Sequence, residues 1–315
     1  MNCIEGVSDV HDHIKAESFR TLLSNPRTLA FAQKIITQSY VECVPGYEDA
    51  MRDLLQRAFA ILTASRDDER AFQAAVASLI TKVFKKQDPD FWFNRLYQGY
   101  KRHFKPQDRF LKLQPLLSGE RVLDFGSGNG LTSVILAQHG YRVSMTDVLD
   151  YRDEAAKALP FVQMDDSTTL PYPAGSFDTA VVFAVLHHIE PENVRPLLVD
   201  LRRVSRRLIV EEDCYGVPDD LQGLAEALSD DAQLREFVAL SLQDQLRFLM
   251  FLDYFANAIT QGLPEMDIPF EFRTVREWQA LFADLGFEVH ETLIKGFQKQ
   301  YFNRSCHVWF VLDAA

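Results

Sequence analysis

Residues 122–130 read Val-Leu-Asp-Phe-Gly-Ser-Gly-Asn-Gly, directly behind a short apolar run and directly ahead of a helical segment. Glycines in such a loop let the backbone approach a ligand closely and turn into a helix whose first N–H groups are free to bind it. A dinucleotide fingerprint needs its third glycine three positions after the second. Here Gly126, Gly128 and Gly130 alternate, position 131 is Leu131, and no Gly-x-x-x-x-Gly-Lys run exists. A pyrophosphate is therefore not the expected guest. Asp147 ends the run "YRVSMTD", roughly 20 residues further on, where a carboxylate can accept hydrogen bonds from both hydroxyls of a ribose. Its alternative role is to cap the turn that follows.

Other groups with chemical capacity lie further along the chain. His187 and His188 follow the apolar run "TAVVFAV", and Glu211, Glu212 and Asp213 end the run "RLIVEED". Histidine suits proton transfer near neutral pH, and a carboxylate row can orient a cationic group. Structural roles stand beside both readings: a histidine pair that holds a turn, and acids that cap a loop. The pair His11 and His13 has no matching cluster in sequence. Cys3, Cys43, Cys214 and Cys306 show no Cys-x-x-Cys spacing, so neither a zinc site nor a disulfide framework is expected.

Elements that could position these residues follow from periodicity. Up to about residue 112 the pattern is helical, with looser stretches over Thr28–Tyr40 and Tyr47–Thr63 and a clear one over Asp67–Lys86. After "PLLSGE" the period changes. The runs "RVLDF", "YRVSMTD", "FVQMD", "TAVVFAV" and "RLIVEED" alternate with helical segments and are apolar almost throughout, as strands covered on both faces are. The expectation is a doubly wound, mostly parallel α/β sheet. A helical insert over about residues 215–272 interrupts it. The closing runs "EVHETLIKGF" and "CHVWFVLD" are joined too closely to hold a crossover helix, so they pair antiparallel. The expected organisation is a helical extension or lid over residues 1–112, then the sheet domain over residues 113–315.

The 315 residues carry a formal net charge of −12, which repels polyanions; a nucleic-acid or anionic-membrane partner is not expected. The start of the chain carries charges where a signal peptide needs an apolar core, and no uninterrupted apolar run approaches the roughly 18 residues of a membrane span; "FLMFL" stops at Asp253. A cytoplasmic protein is expected, as a monomer or homodimer.

At four places in order the sequence resembles the class I S-adenosylmethionine-dependent methyltransferases of the small-molecule branch. "VLDFGSGNG" is similar to that family's first motif, with acidic Asp124 ahead of Gly126, Ser127 and Gly128. "MTD" supplies the ribose carboxylate Asp147. "MDDSTTLPYPAGSFD" is similar to the third-strand motif and places Asp166, followed by Ser167, at the adenine amino group. "FDTAVVFAVLHHI" is similar to the fourth strand and its exit. The glycine-containing turn usual before the fifth strand is missing.

The resemblance implies a Rossmann-like sheet of seven strands with the last antiparallel. It implies S-adenosylmethionine as cofactor, Val148 against its adenine, and Phe183 and Ala184 near its sulfonium. It leaves two roles for the insert: a roof over an acceptor, lined by Phe251, Tyr254, Phe255 and Met266, or a surface packed on the N-terminal helices or a second subunit. Tyr97 and Tyr100 are placed near the methionine carboxylate, and His187 is the candidate base. The expected activity is methyl transfer to a small, partly apolar metabolite. Two alternatives use the same motifs: a cyclase that releases methylthioadenosine while closing azetidine-2-carboxylate, and a cofactor-binding protein without turnover.

Overall fold

The computed structural model describes residues 19–164, 168–263 and 268–314. Its centre is a seven-stranded sheet, β1 (Arg121–Phe125), β2 (Arg142–Asp147), β3 (Phe161–Gln163), β4 (Phe177–Phe183), β5 (Ser205–Asp213), β6 (Phe287–Gly296) and β7 (His307–Ala314). The strand order is β3-β2-β1-β4-β5-β7-β6. β1 to β5 pair parallel, whereas β7 runs antiparallel between β5 and β6. The fold is thus the doubly wound, Rossmann-like α/β architecture expected, including the antiparallel last strand.

The near-continuous apolar runs have a direct cause. In β4, Ala180 and Val182 face one core while Val181 and Phe183 face the other. In β7, Phe310 and Leu312 divide from Trp309 and Val311 in the same way. A strand alternates its side chains, so a strand covered on both faces must be apolar at every position. Residues 297–306 join β6 to β7 without a helix, which enforces the antiparallel return.

Before the sheet come α1 (Arg20–Ser24), α2 (Pro26–Glu42), α3 (Glu48–Ser65), α4 (Glu69–Ser78), α5 (Trp92–Gly99) and α6 (Lys105–Leu113). Asn25 caps α2, accepting from the N–H groups of Arg27 and Thr28, with Pro26 at its first position. The cap of α4 is Asp68, which accepts from Ala71 N–H. The helix expected to run to Lys86 ends at Ser78 and continues as one wide turn, Leu79–Val83.

Within the sheet region lie α7 (Leu131–Gln138) and α8 (Pro191–Val204). The insert contributes α9 (Leu224–Asp230), α10 (Ala232–Val238) and α11 (Leu242–Tyr254), the last prolonged by a wide turn over Phe255–Thr260; α12 (Val275–Asp284) resumes the α/β alternation. One apolar core unites α2, α3, α11 and one face of the sheet, and a second fills the opposite face beneath α6 and α7. Among the described residues no helix is long and apolar enough to cross a membrane.

Candidate active site

The carboxyl ends of β1, β2, β4 and β5 carry the groups singled out above. Gly126, Gly128 and Gly130 all have positive φ, at 68°, 54° and 69°. A Cβ at Gly126 would stand 2.5 Å from Val185 Cγ2, so this position is closed to any side chain by the loop that leaves β4. A Cβ at Gly128 would meet nothing within 4 Å, which leaves open space above the loop where a ligand can lie against the backbone.

Asp147, half-buried at the end of β2, accepts from Gly128 N–H at 2.9 Å and Val148 N–H at 2.8 Å. Those bonds lock the loop to β2 and leave further lone pairs of the carboxylate for a ligand hydroxyl. Asp124, buried at the end of β1, accepts from Ser133 Oγ at 2.6 Å. Its pKa is pushed up to about 6, mainly by burial; the Ser133 bond and Arg109 act the other way. Ser127 Oγ is buried without a hydrogen-bond partner.

Glu212 organises the exit of β4. One oxygen accepts from the N–H groups of Val185 and Leu186 at 3.1 and 2.7 Å, and the other meets His187 Nδ1 at 2.5 Å. The bonds hold a short turn, Leu186–His188, and Ala184 before it adopts φ of 55°. A non-glycine residue in that region stores strain that the surroundings must impose, a feature common at ligand sites.

The comparisons with known proteins bear on this arrangement. The family model for a methyltransferase domain matches residues 123–207, which run from β1 through the glycine loop and the β4 exit into β5. That stretch is thus similar to a methyltransferase domain. Three curated relatives are similar over part of their length. The 27-O-demethylrifamycin SV methyltransferase of Amycolatopsis mediterranei is 30% identical, over 31% of this chain and 43% of its own. The tRNA (carboxymethyluridine(34)-5-O)-methyltransferase of Arabidopsis thaliana is 28% identical, over 48% of this chain and 40% of its own. The demethylmenaquinone methyltransferase of Beutenbergia cavernae is 31% identical over 40% and 59%. The chain therefore spans about half the length of the relatives it matches.

Around this stretch the remaining candidates fall into three groups. Val148 is 47% exposed, with Leu149 and Tyr151 similarly open beside it, a small apolar ledge next to Asp147. Phe183 is buried under the Arg109 guanidinium, 4.3 Å from its ring centroid. Asp166, Ser167, Met266, His11 and His13 lie outside the described residues.

Tyr97 is buried and Tyr100 half-buried in an aromatic group. Tyr97 packs on Phe93 and Phe302, and burial raises its pKa to about 12. Tyr100 packs on Tyr301 and Phe302. Arg109 pairs with buried Glu211 at 3.1 Å. Beside the loop, a cavity of about 350 Å³ is lined by Gln98, Lys101, Arg102, Asn129, Tyr151 and Arg152, among others. The side of the α5 region that meets the loop is thus polar and cationic.

For Phe251, Tyr254 and Phe255 the structure selects the second role of the insert. Phe251 and Phe255 are fully buried against Phe59, and Tyr254 stacks on Phe19 at 4.2 Å. They belong to the core shared with the N-terminal helices. The opposite side of α11 presents Asp253 to His187 and His188. Sequence reasoning passed over Arg109 and Asp253. Asp253 had a signal, a carboxylate interrupting an otherwise apolar helix, which needs a buried partner.

Proposed function

We propose that this protein transfers a methyl group from S-adenosylmethionine to a small, partly apolar metabolite. The observation that carries the reading is the cradle at β1 and β2: open space over Gly128, a carboxylate at Asp147 bonded to the loop, and buried Asp124 behind it. These groups fit S-adenosylmethionine, the cofactor that the sequence resemblance implies. The glycine loop would underlie its methionine and ribose portions, Asp147 would accept from the ribose hydroxyls, and Val148 with its ledge would cover the adenine. Asp166 and Ser167 are assigned to the adenine amino group on the sequence motif.

Bound there, S-adenosylmethionine supplies an electrophilic methyl on an activated sulfonium, so the protein's task is to align the acceptor and exclude water. Phe183, Ala184 and the Leu186–His188 turn border the space beside the loop. His187, the candidate base, has one ring nitrogen engaged by Glu212 and the other directed to the insert. α11 and the Phe255–Thr260 turn close this side, which suits an acceptor of metabolite size. Two of the relatives are named for action on small molecules, rifamycin and menaquinone precursors, and one for action on tRNA. The acidic net charge favours the former.

Incubation with labelled S-adenosylmethionine and a panel of phenols, quinols and amines, read by mass spectrometry, tests the proposal. Formation of S-adenosylhomocysteine that depends on an acceptor supports it. Methylthioadenosine released with no acceptor would establish the cyclase instead, and tight cofactor binding with no product from any acceptor would leave a binding protein.

A further inference from the structure

The carboxyl end of β4 and the insert meet at a group of side chains of which the methyl-transfer reading uses only His187. His187, His188 and Asp253 each bring one ligand atom within 4.8 Å of the other two. His187 Nε2 lies 3.8 Å from Asp253 Oδ1, and His188 Nε2 lies 3.5 Å from the same oxygen. A first-row ion held at about 2.1 Å by tetrahedral ligands sets neighbouring ligand atoms about 3.4 Å apart. The observed separations are too long for direct hydrogen bonds and close to that edge length.

Two features point to an ion over a simple proton-sharing cluster. The first is the support around the ligands. His187 Nδ1 meets Glu212 Oε2 at 2.5 Å, its ring stacks on Phe272 at 4.7 Å, and Glu212 is itself fixed by two backbone N–H groups. A carboxylate on the far nitrogen is the usual device that fixes tautomer and ring orientation in a metal-bound histidine. Asp253 is steadied in turn by Asn257 Nδ2, which donates to Oδ1 at 2.6 Å, and Asn257 accepts from Gln261.

The second is what remains unsatisfied. Asp253 is 8% exposed, yet its Oδ2 has no hydrogen-bond partner; His188 Nδ1, also buried, has none either. A proton on His187 serves one edge of the triangle and leaves His188 facing the same carboxylate. A cation at the centre serves all three edges.

We propose that His187, His188 and Asp253 bind a divalent first-row transition-metal ion, with Glu212 as the group that orients His187. Two imidazoles and one carboxylate suit zinc, cobalt(II) or iron(II), whereas magnesium and calcium prefer oxygen ligands throughout. Three protein ligands leave a coordination position open, and His188, the least buried of them, marks the accessible side. Resting on the methyl-transfer reading, that position would take an oxygen of the acceptor, polarising a hydroxyl or enol so that it loses its proton more readily. No motif spacing announced the site, because Asp253 reaches the histidines only through the folding of the insert.

The test uses full-length, untagged protein. Metal content after dialysis is measured by plasma mass spectrometry, and the chelator-treated protein is titrated with Co²⁺, followed by its visible absorption, and then with Zn²⁺ in competition. The expected result is one bound ion, displaced by Zn²⁺. Asp253→Asn and His188→Gln should each weaken Co²⁺ binding at least tenfold, and Glu212→Gln about 10- to 100-fold. His290→Gln, on β6, should leave it unchanged. S-adenosylhomocysteine affinity, which depends on the separate β1 and β2 cradle, shows whether each variant is folded. Absence of Co²⁺ and Zn²⁺ binding tighter than millimolar in the wild type would overturn the site, as would variants that fold and bind as tightly as wild type. The two readings fail separately: methyl transfer that is undiminished in metal-free protein removes the ion's role in turnover, whereas metal binding without any methyl transfer removes the activity and leaves the site.

Discussion

Replacing Asp124 with asparagine should make the protein more stable and less able to bind its cofactor. Asp124 is 2% exposed at the carboxyl end of β1, and its pKa rises from 3.8 to about 6 because burial opposes the charged form. The folded protein therefore keeps this proton up to about pH 6, while the unfolded chain releases it near 3.8. Stability falls as pH rises between those values, and the full penalty applies above pH 6. At about 1.36 kcal/mol per pKa unit, the shift corresponds to about 3 kcal/mol. Asparagine has no charge to desolvate, and its oxygen can still accept from Ser133 Oγ.

With an unfolding entropy of about 2.1 cal/mol/K per residue, 3 kcal/mol in a chain of 315 residues is a rise in Tm of about 4 °C at pH 7.5. The gain should shrink to nothing near pH 3, below both values, where the wild-type carboxyl is protonated in both states. Differential scanning calorimetry at the two pH values, with S-adenosylhomocysteine affinity by titration calorimetry, makes the comparison. A variant less stable than wild type at pH 7.5, or a difference that does not change with pH, would refute the assignment of the strain to desolvation. Affinity equal to wild type would refute the placement of Asp124 in the cofactor cradle.

Three further outcomes are expected. Asp147→Ala frees the N–H groups of Gly128 and Val148 and removes the ribose acceptor, so S-adenosylhomocysteine affinity should fall about 10- to 100-fold, measured by calorimetry, with a charge-assisted bond worth about 1.5–3 kcal/mol. Arg109→Met leaves Glu211, 1% exposed, without its guanidinium partner and should cost about 3–5 kcal/mol in urea denaturation; Glu211→Gln in the same chain should recover much of it. Phe255→Ala opens the core shared by the insert and α3 and should cost about 3–5 kcal/mol while leaving cofactor affinity within twofold, which distinguishes core from chamber.

The sheet was legible in the sequence because each strand is covered on both faces. "TAVVFAV" and "CHVWFVLD" had to be apolar at every position, and nothing in a helix or loop of that length competes with the pattern. The glycine loop and Asp147 were legible for a similar reason: both sit at ends of strands that are neighbours in the sheet, so spacing along the chain stands in for distance.

Side-chain direction was not legible. The run from Phe248 to Phe255 announced a buried helix, but only the packing of α2 and α3 decided that its aromatic side fills the core and that Asp253 turns towards the histidines. Likewise residue type did not single out Gln98, Lys101 and Arg102, which the α5 region and the turn after it present beside the loop. By itself the sequence determined the α/β order, the strand ends and the glycine loop with Asp147 beside it, all set by local pattern and short-range spacing. The tertiary structure alone decided the Arg109–Glu211 pair and the meeting of His187, His188 and Asp253, because those contacts join segments far apart in the chain and depend on how the helical layer settles over the sheet.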